Sequence, residues 1–422
     1  MDQMIRKFLN KNGLLIIILV LAIFIRFYNF TDRINFGPEQ AISLLVSSDY
    51  INEKFSFLGL PSTQRTTSFG HIIFYPPIFN YSLIPLLILF NYQPVGITAY
   101  FAVLNILTGL LIYFAVNKIL NKPSALFAAS LFLFNDYMIN HSLFIWSVNY
   151  LPILNLGVIF ILARIYLRKS QNFEKFLLGL LVGLSFGVEY IYLFTGILIF
   201  LIMIFFARHK LNAILLFISG GIISLIPTII FDLSHDFYHL KTLWQYSLDT
   251  LSNPGQSHIT YYHFLHFWPL LSILAGYCLY IIYKQSKLAS FLLLFTIILM
   301  NLISSNISFT KPIGMVNGFN YSILDEASSL ISKDNPQNFN VVTTFDFDSR
   351  AHPLRYLLKY KYQKTPNGVE DYPLSDTLYV LAPSGYQTTT TSLWEISSFQ
   401  PEQSTVLESF GDFSLYKLTK QN

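Results

Sequence analysis

Charge is what this chain has least of. Asp, Glu, Lys and Arg make up only 12% of its 422 residues, about half the share of a typical soluble domain. So few charges cannot clothe a water-exposed surface of this size, which excludes an ordinary soluble protein. The net charge of +4 is small and the basic residues are spread along the chain, so no nucleic-acid footprint exists. The single cysteine, Cys278, lies in an apolar run; it can form no intrachain disulfide, leaves the redox compartment open and reads as a packing residue. No Walker loop, GxSxG elbow, HExxH or paired CxxC occurs, so nucleotide hydrolysis, serine hydrolysis and zinc proteolysis have no motif to rest on. There is no internal repeat, and no low-complexity segment beyond residues 388–391.

Apolar residues are what the chain has in excess. They make up 53% of it, with 40 Phe and 27 Tyr, a composition suited to helices that pack in lipid and carry aromatic ends at the interface. Arg6, Lys7 and Lys11 precede an apolar run at 14–25, as in a signal peptide. That run ends in Phe24, Arg26, Phe27 and Tyr28 with no small-residue cleavage site, so it is expected to remain as a first span. Apolar runs recur at 76–91, 95–117, 123–138, 145–167, 176–187, 190–207, 211–231, 263–283 and 288–307. Several fall short of the ~20 residues that a lone helix needs to cross.

Positive charge arbitrates among them. With a cytoplasmic N-terminus and a run at 76–91 that does not cross, the inner connections carry thirteen Lys and Arg before residue 308 and the outer ones five, Arg26, Arg33, Lys54, Arg65 and Lys241. Letting 76–91 cross reverses that bias. The run is therefore read as an interfacial or re-entrant helix opened by Pro76-Pro77. About nine spans are expected, with interfacial helices in a first outer loop at 31–80. Within the short hairpin of 176–187 and 190–207, Gly179, Gly183, Gly187 and Gly196 are expected to let its two helices approach closely, with Glu189 at the apex.

From about Ser308 charge becomes dense. Segments 322–332 and 352–362 have helical spacing, and 339–345, 377–381, 393–399 and 413–418 read as strands. The fold class is thus an α-helical polytopic membrane protein, a transmembrane module at 1–307, with a small C-terminal α/β extracytoplasmic domain at 308–422.

In this topology the polar groups gather at outer span ends. Glu39 follows Pro38 at the mouth of the first loop, either a general base held where its charge is costly to leave unpaired or a solvated acid near a helix N-terminus. His71 and Tyr75, before Pro76-Pro77, offer an imidazole and a phenol to an anionic group, or form an aromatic belt. Asn149, near Trp146, opens a span as a cap or as a substrate contact. Asp232, His235, Asp236 and His239 would share one face of a continuous helix, a geometry able to hold a divalent metal, to contact phosphate or sugar, or simply to cap the span. No metal and no cofactor is expected.

Arg26-Phe-Tyr-Asn-Phe30, the acid in Phe36-Gly-Pro-Glu-Gln40, His71 with Tyr75-Pro-Pro-Ile-Phe79, and the stretches Asn140 to Asn149 and Pro227 to His235 resemble the membrane glycosyltransferases of the C superfamily. The layout is that of the protein O-mannosyltransferase and aminoarabinose transferase group, the bacterial family 39 type. The resemblance implies transfer of a sugar from a polyprenyl-phosphate carrier to a protein, lipid or glycan acceptor at the outer face of a bacterial plasma membrane. It gives Glu39 the catalytic role, without the adjacent second acid that the family often has. It leaves Arg65 and His71 as candidates to meet the lipid phosphate, with Tyr75, Asn149, Asp232 and His235 as further substrate contacts. The rival readings are a lipid-carrier flippase or transporter, disfavoured because transporters place polar sites near the midplane in repeated halves, and an inactive scaffold.

Overall fold

The computed structural model describes residues 2–252, 260–345 and 348–420, without the side chains of residues 2–11 and 63–65. Helix α1 (Asp2–Phe27) leads through α2 (Phe30–Arg33) into α3 (Pro38–Asn52), a hairpin of β1 (Pro61–Thr66) and β2 (Ile72–Phe74), and α4 (Ile78–Leu89). The bundle continues with α5 (Pro94–Ile119), α6 (Lys122–Leu133), α7 (Asp136–His141), α8 (Leu151–Tyr166), α9 (Asn172–Val188), α10 (Tyr192–Phe206), α11 (Lys210–Ser224), α12 (Ile226–Ser234), α13 (Tyr238–Ser252), α14 (Trp268–Gln285) and α15 (Lys287–Leu302).

Among the described residues, three helical stretches are long and apolar enough to cross a membrane, Pro94–Ile119, Ser147–Tyr166 and Tyr261–Gln285; α11 and α12 make a fourth if the pair, bent by 73°, is one span. The protein is an integral membrane protein. Five further apolar helices have 12 to 16 residues, which at 1.5 Å per residue reach only about 18–24 Å, short of a ~30 Å hydrocarbon core. The expected nine crossings therefore do not follow from helix length. The shortening has local causes: α6 gives way to α7 at Asn135, whose side chain caps the new helix, and α12 starts afresh at Ile226-Pro227.

Helix α4 has 12 residues behind an N-cap at Pro77, the short helix that Pro76-Pro77 predicts. The glycines of α9 meet a partner other than the expected one. A Cβ on Gly179 would lie 1.9 Å from Phe217 O, and one on Gly220 would lie 2.1 Å from Phe176 O, so the close approach is between α9 and α11. Gly187 abuts Ile78 of α4, and only Gly196 faces its hairpin partner, at Val182.

The C-terminal segment carries α16 (Tyr321–Asp334), β3 (Phe339–Thr343), α17 (His352–Tyr360), β4 (Thr377–Pro383), α18 (Trp394–Ser397), β5 (Gln403–Phe410) and β6 (Phe413–Thr419), with sheet order β3-β4-β6-β5. Strands β3 and β4 are parallel, and the other pairs are antiparallel. One sheet face, with Val341, Tyr379, Leu381 and Leu415, packs with α16 and α17 into a core that continues through Phe36, Leu44, Phe79, Leu83 and Phe101 of the first loop and α4–α5. The opposite face, with Val342, Leu378, Val380 and Leu418, packs on Ile396 and Phe399. The strand expected at 393–399 is instead the short helix α18, and the edge strand β5 was hidden by its polar, exposed run Gln403-Ser-Thr-Val-Leu-Glu-Ser.

Candidate functional site

A cavity of about 150 Å³ opens where the first loop meets the heads of the bundle helices. Its walls come from the start of α3 (Glu39, Ile42, Ser43), the β1 side of the hairpin (Leu60, Pro61, Ser62), the entry to α4 (Tyr75, Pro76, Phe79, Asn80), the Trp146–Ser147 turn, the α9–α10 corner (Gly187, Val188, Glu189) and Tyr262–His263.

Local chemistry sets each of these elements. Pro38 occupies the first turn of α3 behind an N-cap at Gly37, where its missing N–H costs nothing. Gln40 Oε1 accepts from Gly37 N–H at 3.1 Å. Glu39 therefore stands in the first turn, where the helix dipole favours an anion. Asn80 Nδ2 donates to Ser47 Oγ (3.0 Å) and to Ser43 O (3.3 Å), which fixes α4 against α3.

Across the cavity, Glu189 takes an extended backbone at the C-terminus of α9. Its Oε2 lies 2.9 Å from His263 Nδ1, and the two side chains are only 6% and 2% exposed. The pair closes the inner wall, while Glu39 is the exposed acid on the loop side. Among the lining residues there are two carboxylates and one imidazole but no lysine or arginine. Tyr75, Trp146 and Tyr262 add aromatic surface, Tyr75 being stacked at 5.8 Å on Tyr190 and Trp146 lying 4.5 Å from Tyr262. Carboxylates that accept from hydroxyls, beside ring faces that cover C–H surface, suit a sugar.

Behind Tyr75 a buried chain runs from Tyr190 OH to His239 Nε2 (2.7 Å), with His239 Nδ1 3.8 Å from Asp232 Oδ2. Burial holds the His239 imidazole below its ordinary pKa, against the opposing pull of Asp232.

Of the residues expected from sequence, Glu39 and Tyr75 line the cavity. Asp232 lies behind it, its Oδ1 accepting from the backbone N–H of His239 at 2.7 Å and so capping α13. His235 lies outside the lining, stacked on Phe231 at 4.1 Å with Nδ1 2.9 Å from Phe231 O. The continuous helix that would align Asp232, His235, Asp236 and His239 is broken, because Asp236 and Phe237 have left-handed φ values of 52° and 57°. Among the described residues no group of three Asp, Glu, His or Cys is placed to hold a metal. His71 is exposed on the hairpin, edge-on to Tyr238 at 5.9 Å. Asn149 spends its amide on His141 O and Phe144 O (2.9 and 2.8 Å). Arg65 falls on β1, and its side chain lies outside the described residues. His263 escaped sequence reasoning because it opens a run that reads as uniformly apolar. The available signal was a pair of ionisable residues, His263 and His266, one turn apart at the head of a span.

The architecture as a whole is similar to that of solved membrane proteins. Among solved structures, the ArnT of Cupriavidus metallidurans matches from end to end. Bound to undecaprenyl phosphate it superposes with a TM-score of 0.55 at 9% identity, covering 96% of this chain and 98% of that one; in the apo state the score is 0.56 at 9% identity, covering 97% and 98%. The oligosaccharyltransferase of Archaeoglobus fulgidus, in complex with Zn and sulfate, matches at 0.47 with 10% identity over 88% of this chain and 68% of that one. Comparison with family models and with curated proteins finds no match. At such low identity the likeness to ArnT establishes the fold.

Proposed function

We propose that the chain transfers a sugar from a polyprenyl-phosphate carrier to an acceptor hydroxyl or amine, with inversion, at an extracytoplasmic site. The supporting observation is that one aromatic-walled cavity is lined by carboxylates from two separate elements, Glu39 from α3 and Glu189, paired with His263, from the α9–α10 corner. The adjacent second acid that the first loop lacks thus has a substitute from another element. In this reading α1, α5, α6, α8, α9, α10, the bent pair α11–α12, α14 and α15 cross while α4 stays interfacial, the shorter ones being accommodated by local thinning of the bilayer and by their helical neighbours; this gives nine spans and places residues 308–422 outside with the cavity.

The acceptor attacks the anomeric carbon, its proton passes to Glu39, and the bond between that carbon and the phosphate oxygen breaks as the lipid phosphate leaves. One carboxylate on the face opposite the phosphate suffices for inversion, whereas retention needs a nucleophilic carboxylate close to that carbon. Glu189, held by His263, orients sugar hydroxyls between Tyr75, Trp146 and Tyr262. His71, on the hairpin that forms one wall, is the candidate to meet the departing phosphate, while Asn149 at the Trp146 turn and Asp232 at the α12–α13 corner support the walls from behind. The carrier class is in keeping with the undecaprenyl phosphate bound by ArnT.

The test is transfer of radiolabelled sugar from synthetic polyprenyl-phosphate donors in membranes that contain the protein. Label should move to acceptor with inverted anomeric configuration, and transfer should survive EDTA. Absence of transfer with every donor would point to a carrier flippase or a scaffold, a retained configuration would reject the single-base mechanism, and loss in EDTA would reject the metal-free chemistry.

A further inference from the structure

The strand of chain that delivers Glu39 is gripped from behind by the C-terminal segment. Phe36, three residues earlier, is fully buried and stands edge-on to Tyr321 of α16 (5.9 Å) and Tyr356 of α17 (5.7 Å). Around it, Arg33 Nε donates to Ser308 O at 2.6 Å, Asn35 Nδ2 donates to Ile313 O at 2.8 Å, and Ser322 Oγ donates to Asp32 Oδ1 at 2.6 Å. At the far end of α3, Lys359 of α17 lies 3.5 Å from Asp49 and 3.6 Å from Glu53. Tyr356 OH also donates to Tyr92 O at 2.8 Å, and Tyr360 stacks on Tyr92 at 4.8 Å, so α17 is locked to the turn between α4 and α5 as well. The grip thus holds both ends of α3 and the helix that packs on it. None of Phe36, Tyr321, Tyr356 or Lys359 lines the cavity.

We propose that the C-terminal unit is a positioning element for the transfer reaction, and that Phe36, seated between Tyr321 and Tyr356, is the positioning residue that sets where Glu39 stands. The proposal rests on the reading of Glu39 as the base. Its physical basis is that a base must meet the acceptor proton within hydrogen-bond reach, and misplacement by about 1 Å costs on the order of a hundredfold in rate. Asn35 N also donates to Leu143 O at 3.1 Å, so the loop has a bundle anchor of its own. The aromatic seat sets the entry angle of α3 on that anchor.

The experiment uses the full chain in membranes with two readouts. The first is turnover. Phe36→Leu keeps an apolar side chain and removes the ring edges, and it should lower kcat roughly ten- to a hundredfold while donor KM stays near the wild-type value. The second needs no activity: with Cys278 changed to Ser, the rate at which a polar thiol reagent labels Glu39→Cys is compared with and without Phe36→Leu, beside Lys241→Cys on α13 as a control. A changed rate at position 39 with an unchanged rate at 241 supports positioning. Unchanged labelling at 39, a kcat near wild type, or a parallel rise at both cysteines, which marks general loosening, overturns it. If the wild type transfers no sugar at all, the functional reading falls while the labelling arm still decides the geometry.

Discussion

At the scale of single residues, the Glu189–His263 pair is the buried polar contact that lines the cavity. Both side chains are nearly sealed from solvent, and removing one partner of such a buried polar contact costs about 1–3 kcal/mol. Glu189→Ala should therefore lower the detergent-solubilised melting point markedly, and the double variant Glu189→Leu, His263→Leu should recover part of the loss. Additive losses in that cycle would show that the two do not interact. His239 gives a pH signature. Its folded pKa is depressed by burial, so the folded state binds fewer protons than the unfolded one below the ordinary histidine value of about 6.5. The stability it contributes is present above that value and is lost as pH falls through the lower folded pKa. Hydrogen-exchange protection factors around Tyr190 and α13 should fall on acidification, and His239→Asn should flatten the response; an unaltered profile in that variant would assign the titration elsewhere. Glu39 was legible in sequence because Pro38 marks a helix start within a polar loop, and Glu189 because it interrupts two apolar runs. His263 was illegible as a partner, since nothing local announces a contact across 74 residues, the interval from 189 to 263.

At the scale of elements, the short residues of α9 matter more than its hydrophobicity. Gly179 meets the carbonyl of Phe217, backbone against backbone, so Gly179→Leu must push α11 away and should abolish folded yield or cost more than the 1–3 kcal/mol usual for overpacking. Gly196→Ala meets only a side chain of Val182, at 3.0 Å, and should fold; size-exclusion profiles that fail to separate the two variants would contradict the assigned α9–α11 seam. Sequence spacing located the glycines but not their partner, because hairpin neighbours are only the default choice. The same default misled at 232–239, where a single helical face was expected and two left-handed residues break it. Strands β3, β4 and β6 were readable from their recurring apolar residues because packed layers cover the two faces of the sheet, while the exposed β5 left no such trace.

At the scale of the whole molecule, one apolar core runs without interruption from the C-terminal sheet through α16 and α17 into α3, α4 and α5. The composition shift near Ser308 marked where charge rises, but contacts between residues nearly 300 apart, such as Asp32 with Ser322, have no signature in a single sequence. They make the C-terminal unit part of the frame around the cavity. What that frame presents is one acid from the first loop, and the account stands on its being the base. The most direct measurement is turnover of Glu39→Gln beside its affinity for the polyprenyl-phosphate donor. Loss of roughly 10²–10⁴-fold in kcat with donor affinity retained is the predicted result. Turnover at the wild-type rate would contradict it.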